Sequence, residues 1–468
     1  MADDADTAGK PDGLTDPLAR ELHKHAPRGW HRVDAAFAMT VAAETAHIAY
    51  SVGAQQVLVP ARKTLLTLIR KLRTAAAASD AGPWWRLLAT MTESGEIVVD
   101  YDYGADPFPP DQIFEPEAYR ADLVTYPRKH VPVWLAAYIL HGDRQQRTPQ
   151  HAAEQARTDR AEQVWAVLAE NEFPPFPVMW ARWATLSAAF VAARSQWGPR
   201  LLPWTGVFEG AARGGSTLHA LPGGRAVLSG GVWNAPTLDA AYNGDTPLPR
   251  LYAGAPDWVA NPVLNPRASS GLLSFCYWWE GGRWYRGESP TAEHCATAVP
   301  GVWTAEIVAG IVAGLVDDAP GDDLSERAAT LVAAAEAGVV TRETLTTVFD
   351  GDRFDIDGAL YQLGLAGVVS TLPEELPADV AIGRVRDYIV TRGLDTTGYP
   401  LSELTAHRIN IGWMVYVPVP DGEISIGRAI FYVADDGVLE QSSSSIAPGE
   451  YIVGFEQRFN DRHRRLVR

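Results

Sequence analysis

Gly95-Glu96-Ile97-Val98-Val99-Asp100-Tyr101-Asp102-Tyr103-Gly104 is a run whose β-branched and aromatic residues favour a pleated, half-buried strand. Alternation puts Ile97, Val99, Tyr101 and Tyr103 on one face and Val98, Asp100 and Asp102 on the other. An apolar face needs a core, so the acid-bearing face is expected to point towards water or towards a partner. Immediately upstream, Glu93-Ser94-Gly95-Glu96 reads as a hairpin turn, with Gly95 free to take positive φ. The strand before that turn is Trp85 to Met91.

Further upstream, Pro60 is expected to open a helix over about Ala61 to Ala78. Leu65, Leu68, Ile69 and Leu72 recur at i, i+3, i+4 and i+7, one apolar stripe. Arg62, Lys63, Arg70, Lys71 and Arg73 fill much of the remainder. Before the helix, Val33 to Val41 and His47 to Val52 are candidate strands. The order strand, strand, helix, strand, strand describes an antiparallel sheet with one packed helix. Residues 1–20 are polar and read as a flexible N-terminus.

Taken together, the Arg28-Gly29-Trp30 entry, the basic amphipathic helix, Trp85 and Leu88, and the Gly95-x-Ile97-x-Val99-Asp100-Tyr101-Asp102-Tyr103 finish resemble the YezG-type antitoxin family over roughly residues 27–105. The family comprises small α+β immunity proteins encoded beside secreted polymorphic toxins. The resemblance implies a cytoplasmic interaction protein that binds and blocks a cognate toxin. It departs from the family pattern in length, because members are usually a single short domain and this chain has 468 residues.

Downstream, Ala105-Asp106-Pro107-Phe108-Pro109-Pro110-Asp111 is extended chain unsuited to a sheet interior, with Phe108 and Phe114 expected to pin it. Glu115 to Tyr126 reads as a helix and Val131 to Leu140 as a short buried segment. Apolar periodicity then fails over 141–162, where a domain boundary is expected. Beyond it, two helices are expected between Ala161 and Arg194, split by Pro174-Pro175-Phe176-Pro177. Glycine, proline and asparagine then mark short strands with tight turns. Among these are a strand from Gly271 to Trp279, a Gly281-Gly282 turn and a return through Arg283-Trp284-Tyr285-Arg286. Thr304 to Val316 reads as an apolar helix. Three short helices follow between 324 and 370, with Thr341 as an N-cap, in a winged-helix-like order. After Glu374-Glu375-Leu376-Pro377 come a helix over Val380 to Val390, then strands over His407 to Pro418, Ile424 to Ala434 and Val438 to Ser442. The Gly412-Trp413-x-Val415-Tyr416 and Gly427-Arg428-x-Ile430-Phe431-Tyr432-Val433 pattern resembles the small helix-plus-meander immunity domains of the same toxin systems.

The expected fold class is therefore α+β, with several small antiparallel sheets each packed with helices, plus a short helical segment. The expected units are a flexible N-terminus at 1–20, a YezG-like α+β domain at 21–150 and a Trp- and Gly-rich middle α+β domain at 151–320. A three-helix segment at 321–373 and a C-terminal helix plus antiparallel meander at 374–468 complete the chain.

Composition narrows the partners. A formal charge of −17 repels phosphate backbones and anionic lipid, so neither nucleic acid nor membrane is expected as a partner. Such a surface favours a basic protein, although general solubility accounts for the same charge. Two cysteines, Cys276 and Cys295, cannot build a disulfide framework and fit a reducing compartment. No signal peptide is read at Met1-Ala2-Asp3-Asp4. No apolar stretch reaches the ~18 residues of a membrane span.

Several motifs could carry chemistry. Asp100 and Asp102 lie ~6.5–7 Å apart at Cα on one strand face, as an acid–base pair or Mg²⁺ ligands would; a solvated face or a partner-binding patch uses the same residues. The Asp350–Gly358 run fails the EF-hand spacing, because Arg353 and Gly364 fall where carboxylates are required; Asp355 or Asp357 is expected as a helix cap. Cys295 beside His294 is either a thiol nucleophile or a buried cysteine. Arg283 and Arg286 beside Trp284 are either a ligand site or a cation–π surface hairpin. No cofactor, metal site or catalytic residue is assigned. The partner-binding candidates are Asp100, Asp102, Asp106, Phe108 and Phe114, with Tyr101 alternating to the other face. The expected partner is a cognate toxin or another secreted protein. The rival readings are a non-catalytic scaffold or chaperone of a secretion system, and a hydrolase or nucleotide-processing enzyme using the Arg283–Arg286 hairpin.

Overall fold

A computed structural model describes residues 15–78, 82–370, 373, 375–419 and 427–463. Residues 1–14, Glu374 of the expected linker and the start of the expected Ile424–Ala434 strand lie outside these. The fold is α+β with three small antiparallel sheets.

The first unit comprises α1 (Thr15–His25), β1 (Trp30–Met39), β2 (Glu44–Val52), β3 (Gln55–Leu58), α2 (Lys63–Ala76), β4 (Arg86–Thr92) and β5 (Ile97–Asp102). Its sheet runs β3-β2-β1-β4-β5. Val33, Ala35 and Phe37 of β1, Ile48 and Tyr50 of β2 and Leu87, Ala89 and Met91 of β4 all face one core. Ile97, Val99, Tyr101 and Tyr103 pack against it, as their alternation requires. Helix α2 closes that core with Leu65, Ile69 and Leu72. Gly95 turns the β4–β5 hairpin at φ +87°.

Three expectations fail here. Residues 15–20 are not loose chain: Leu18 and Leu22 of α1 are buried. Strand β3 was not expected; Gly53 at φ +58° reverses the chain after β2. Arg73 is not a surface cation, being 4% exposed.

Arg73 belongs to a buried ion triad. Its Nη2 donates to Asp122 Oδ2 at 2.7 Å and its Nε to the Trp84 carbonyl at 3.0 Å. Asp122, 0% exposed, sits on α3 (Pro116–Thr125) and accepts the Val41 amide at 2.8 Å. Arg128 approaches the same carboxylate at 3.9 Å, donates to the Pro83 carbonyl and stacks its guanidinium 3.9 Å from the Trp85 ring centroid. Burial lowers the Arg128 pKa to about 10.

Consecutive tryptophans divide two cores. Trp84 belongs to the sheet core, whereas Trp85 joins Phe108, Tyr119 and Trp134. This second core lies between α3, α4 (Val133–Leu140) and, further along the chain, α7 (Pro236–Tyr242). Two cores therefore occupy 21–150, and the second is completed by residues beyond 150. The stretch 141–162, expected as a boundary, forms α5 (Pro149–Ala161). It is locked to the middle unit by Gln145, whose amide group pairs with both the N–H and the C=O of Leu273.

The middle unit holds β6 (Val167–Leu168), α6 (Phe176–Ala192), β7 (Arg200–Leu202), β8 (Thr205–Glu209), β9 (Gly215–Leu221), β10 (Arg225–Gly231), β11 (Phe275–Glu280) and β12 (Arg283–Arg286), arranged β6-β12-β11-β10-β9-β8-β7. Only one helix forms between Ala161 and Arg194. Pro174 and Pro175 set its start, and Trp165 to Ala169 instead approaches the sheet edge as β6. Helix α6 lies so close to β8 that a Cβ at Gly206 would come within 2.7 Å of Trp183 Nε1. On its other side α6 packs against α8 (Ala305–Gly314), α9 (Asp322–Ala337) and α11 (Ile356–Ala366), with α10 (Arg342–Thr346) between the last two in sequence. The three helices expected as a segment of their own at 321–373 thus share one core with residues 169–313. Thr341 caps α10 through a reciprocal hydroxyl–amide pair with Thr344.

The last unit consists of α12 (Ala378–Arg392), β13 (Thr405–Ile409), β14 (Gly412–Tyr416), β15 (Ala429–Ala434), β16 (Leu439–Ser443) and α13 (Pro448–His463), with sheet order β13-β14-β15-β16. The strand expected over His407 to Pro418 is two strands, because Asn410 and Ile411 turn the chain.

Two measurements check this architecture. Asp122→Ala leaves two buried guanidiniums without their anion and is expected to lower unfolding free energy by about 3–5 kcal/mol in denaturant titration. His219 is pulled below its ordinary 6.5 by burial. The unfolded chain therefore takes up that proton first, and stability is expected to be full above 6.5 and to fall as pH drops through the lower folded-state value. His219→Gln should flatten that limb of the stability–pH curve.

A candidate protein-docking face

The site is built on the face of the first sheet that its helices do not cover. Because β5 alternates, Val98 and Asp100 project from this face, and Val98 is 65% exposed. Across the ladder lie Leu88 and Thr90 of β4, Asp34 and Ala36 of β1 and Ala49 of β2, all half-buried. On the far edge Leu58, opposite Ala49, is 75% exposed. Small side chains at the centre and apolar ones at both edges make this a shallow surface that a flat partner can cover.

The sequence candidates fall into three groups. Asp100 is exposed on the face, as its strand position requires. Asp102 is on the same face but is clamped: Arg86 Nη2 approaches it at 2.5 Å, and it accepts the Gly104 amide at 2.7 Å. Arg86 also donates to Gln112 at 2.8 Å, drawing the 105–114 loop over this end of the sheet. With Asp102 held in that ion pair, the two aspartates form no symmetric acid–base pair. Asp106 is exposed and bound to Arg213, whose hydrogen bond holds its carboxyl below the usual carboxylate range.

The remaining candidates are structural. Tyr101 faces the core and stacks on Trp84 with centroids 6.3 Å apart. Phe108, 6% exposed, meets Trp134 edge-on at 5.1 Å. Phe114 is half-buried against Tyr119. Phe108 and Phe114 do pin the loop, but from beneath, so a partner would meet the loop's prolines and acids and not its aromatic rings.

Sequence reading missed two contributors. Leu58 went unseen with β3, although Gly53 after an apolar strand was the available signal. Asp34 accepts from Arg32 at 2.7 Å and from Thr90 at 2.9 Å; the Arg32 hydrogen bond lowers its pKa, so the carboxylate stays charged.

Elsewhere, the Arg283–Arg286 hairpin does not form a ligand platform. Trp284 is buried and donates to the Pro174 carbonyl at 2.7 Å, and Arg286 is paired with Glu172 at 2.9 Å. Only Arg283 is exposed. Burial pushes the Cys295 thiol up to about 12, so no thiolate nucleophile forms beside His294. Asp355 caps α11 through the Gly358 amide at 2.9 Å. Among the described residues no group of three or more His, Cys, Asp or Glu is placed to hold a metal ion, and no helix is long and apolar enough to cross a membrane.

The chain matches no family model and no curated protein.

The Arg86–Asp102 pair leaves only 11% and 14% of the two side chains exposed. Arg86→Leu therefore strands a buried carboxylate and is expected to cost about 3 kcal/mol. It should also release the 105–114 loop, read as faster amide exchange there than elsewhere in the sheet.

Proposed function

We propose that this protein is a cytoplasmic interaction protein of the immunity or antitoxin kind, which binds a cognate secreted toxin through the open face of its first sheet. One observation carries the reading. Among the described residues Val98, Asp100 and Leu58 stay exposed on this face, whereas the opposite face is closed by α1 and α2. Val98 and Leu58 give this face exposed apolar contact area at its two edges, and the carboxylates of Asp34 and Asp100 give a partner charge to recognise and orient on. The −17 charge suits a basic partner, speeding encounter and setting orientation. The resemblance of residues 27–105 to YezG-type antitoxins points to the same class of work.

Blocking by occlusion needs no catalytic group on this chain. It needs a rigid surface, and the buried triad at the end of the sheet, which ties the Val41 and Trp84 backbone to α3, contributes that rigidity. A toxin with a basic active-site cleft would present the complementary charge.

The test is co-purification with the product of the adjacent gene, followed by substitution on the face. The Val98→Arg, Asp100→Lys double variant is expected to weaken binding at least tenfold in titration calorimetry and to abolish rescue from the toxin in co-expression. Asp357→Lys, on α11 outside the first sheet's core, should leave both intact. Undiminished affinity in the double variant removes the face from the interaction. Capture of an exported protein without toxic activity would instead favour a secretion scaffold or chaperone.

A further inference from the structure

A second site is unrelated to the docking face. Where α5 meets the 248–255 turn, Arg144, Arg147 and Arg250 line a cavity of about 110 Å³ with Asp159, Tyr252 and Leu273. Charge does not balance inside it. Arg250 donates to Asp159 at 2.9 Å, and the same carboxylate, buried, also accepts from Gln155 at 2.7 Å and the Gly254 amide at 2.9 Å. That pair is closed on itself. Glu288, exposed, accepts the Arg250 backbone N–H at 2.7 Å.

Arg144 and Arg147 have no carboxylate partner among the described residues. Arg147 Nη1 donates to the carbonyls of Arg144 and Gln146, both at 2.7 Å, which fixes the guanidinium, and among the described residues its other nitrogens meet no carboxylate. Arg144 donates through Nε to the His141 carbonyl at 3.2 Å and stacks 5.4 Å from the Tyr242 ring centroid. Both are therefore oriented by protein groups that carry no negative charge. Burial pushes the Tyr252 phenol well above its ordinary value, with the charge of Arg147 pulling weakly against it, so its O–H stays a neutral donor.

In a chain of net charge −17, half-buried Arg147 and exposed Arg144 both line this one pocket, and their charge, unanswered by a carboxylate among the described residues, is a local positive excess suited to an anion. Guanidinium forks match tetrahedral oxyanions, and two uncompensated cations match the near-dianionic charge of a phosphate at neutral pH. Leu248 and Pro249 add an apolar wall on which the remainder of a ligand could rest.

We propose that this pocket binds a phosphate group, as inorganic phosphate or as the phosphomonoester of a small molecule, with Arg144 and Arg147 neutralising it and Tyr252 donating its hydroxyl. The experiment is thermal unfolding of the full chain in sodium phosphate, phenyl phosphate, sodium acetate and sodium chloride at matched ionic strength. Phosphate and phenyl phosphate are expected to raise the midpoint saturably. The Arg144→Gln, Arg147→Gln double variant should need at least tenfold more ligand for the same rise. A tighter response to phenyl phosphate identifies a phosphomonoester site; an equal or weaker one identifies inorganic phosphate. Equal stabilisation by acetate or chloride, or by phosphate in the double variant, overturns the assignment. Should the double variant not fold, arginine modification of the wild-type chain by phenylglyoxal, read by mass spectrometry, decides. Phosphate must protect Arg144 and Arg147 and not Arg342, and uniform protection or none overturns the proposal.

Discussion

Everything in the first third of the chain depends on one carboxylate. Asp122 has no exposure and is held by Arg73, Arg128 and the Val41 amide. Its partners come from a helix, a loop and a strand end that are far apart in sequence. Isolated, each of these charges would be expensive to bury. Together, with the Trp84 and Pro83 carbonyls and the Trp85 ring as further partners, they join the sheet to α3. That joint fixes both ends of the segment between β5 and α3. The prolines of that segment then have little choice but to run over the sheet's outer face, and the extent of the open surface follows from where they stop.

Much of this frame was legible in the residues. Alternation in Ile97–Tyr103 gave the inner and outer faces of β5, because a period of two leaves no other way to bury four large side chains together. The i, i+3, i+4, i+7 spacing of Leu65, Leu68, Ile69 and Leu72 gave α2. Gly281 and Gly282, both with positive φ, gave the β11–β12 hairpin. What could not be read is long-range. Arg73 looks like any other cation on a basic helix, and nothing local to it announces an aspartate 49 positions away.

The same limit applies to how the units join. Gln145 pairs with the backbone of Leu273, and Gln362 pairs with the backbone of Leu201 at 2.7 and 3.3 Å. Each glutamine substitutes for a neighbouring strand, satisfying one N–H and one C=O that burial would otherwise leave unmet. A lone glutamine in a polar stretch carries no such signature. This is why the loss of apolar period over 141–162 suggested a division when the segment is in fact a clasp. Among the candidate residues, Asp106 and Arg286 have partners far along the chain, Arg213 and Glu172, whereas Asp102 meets Arg86 directly across the β4–β5 hairpin.

Strand β5 is the last strand of its sheet, and it begins Ile97-Val98-Val99. Such a border, apolar and β-branched, is the kind of template on which chains aggregate. Asp100 follows at once and is exposed, the position a gatekeeping charge takes, whereas Asp102 is already paired with Arg86. A second copy pairing on this border would have to bury the exposed charge of Asp100, so the acid that marks the docking face also sets a cost on edge-to-edge association.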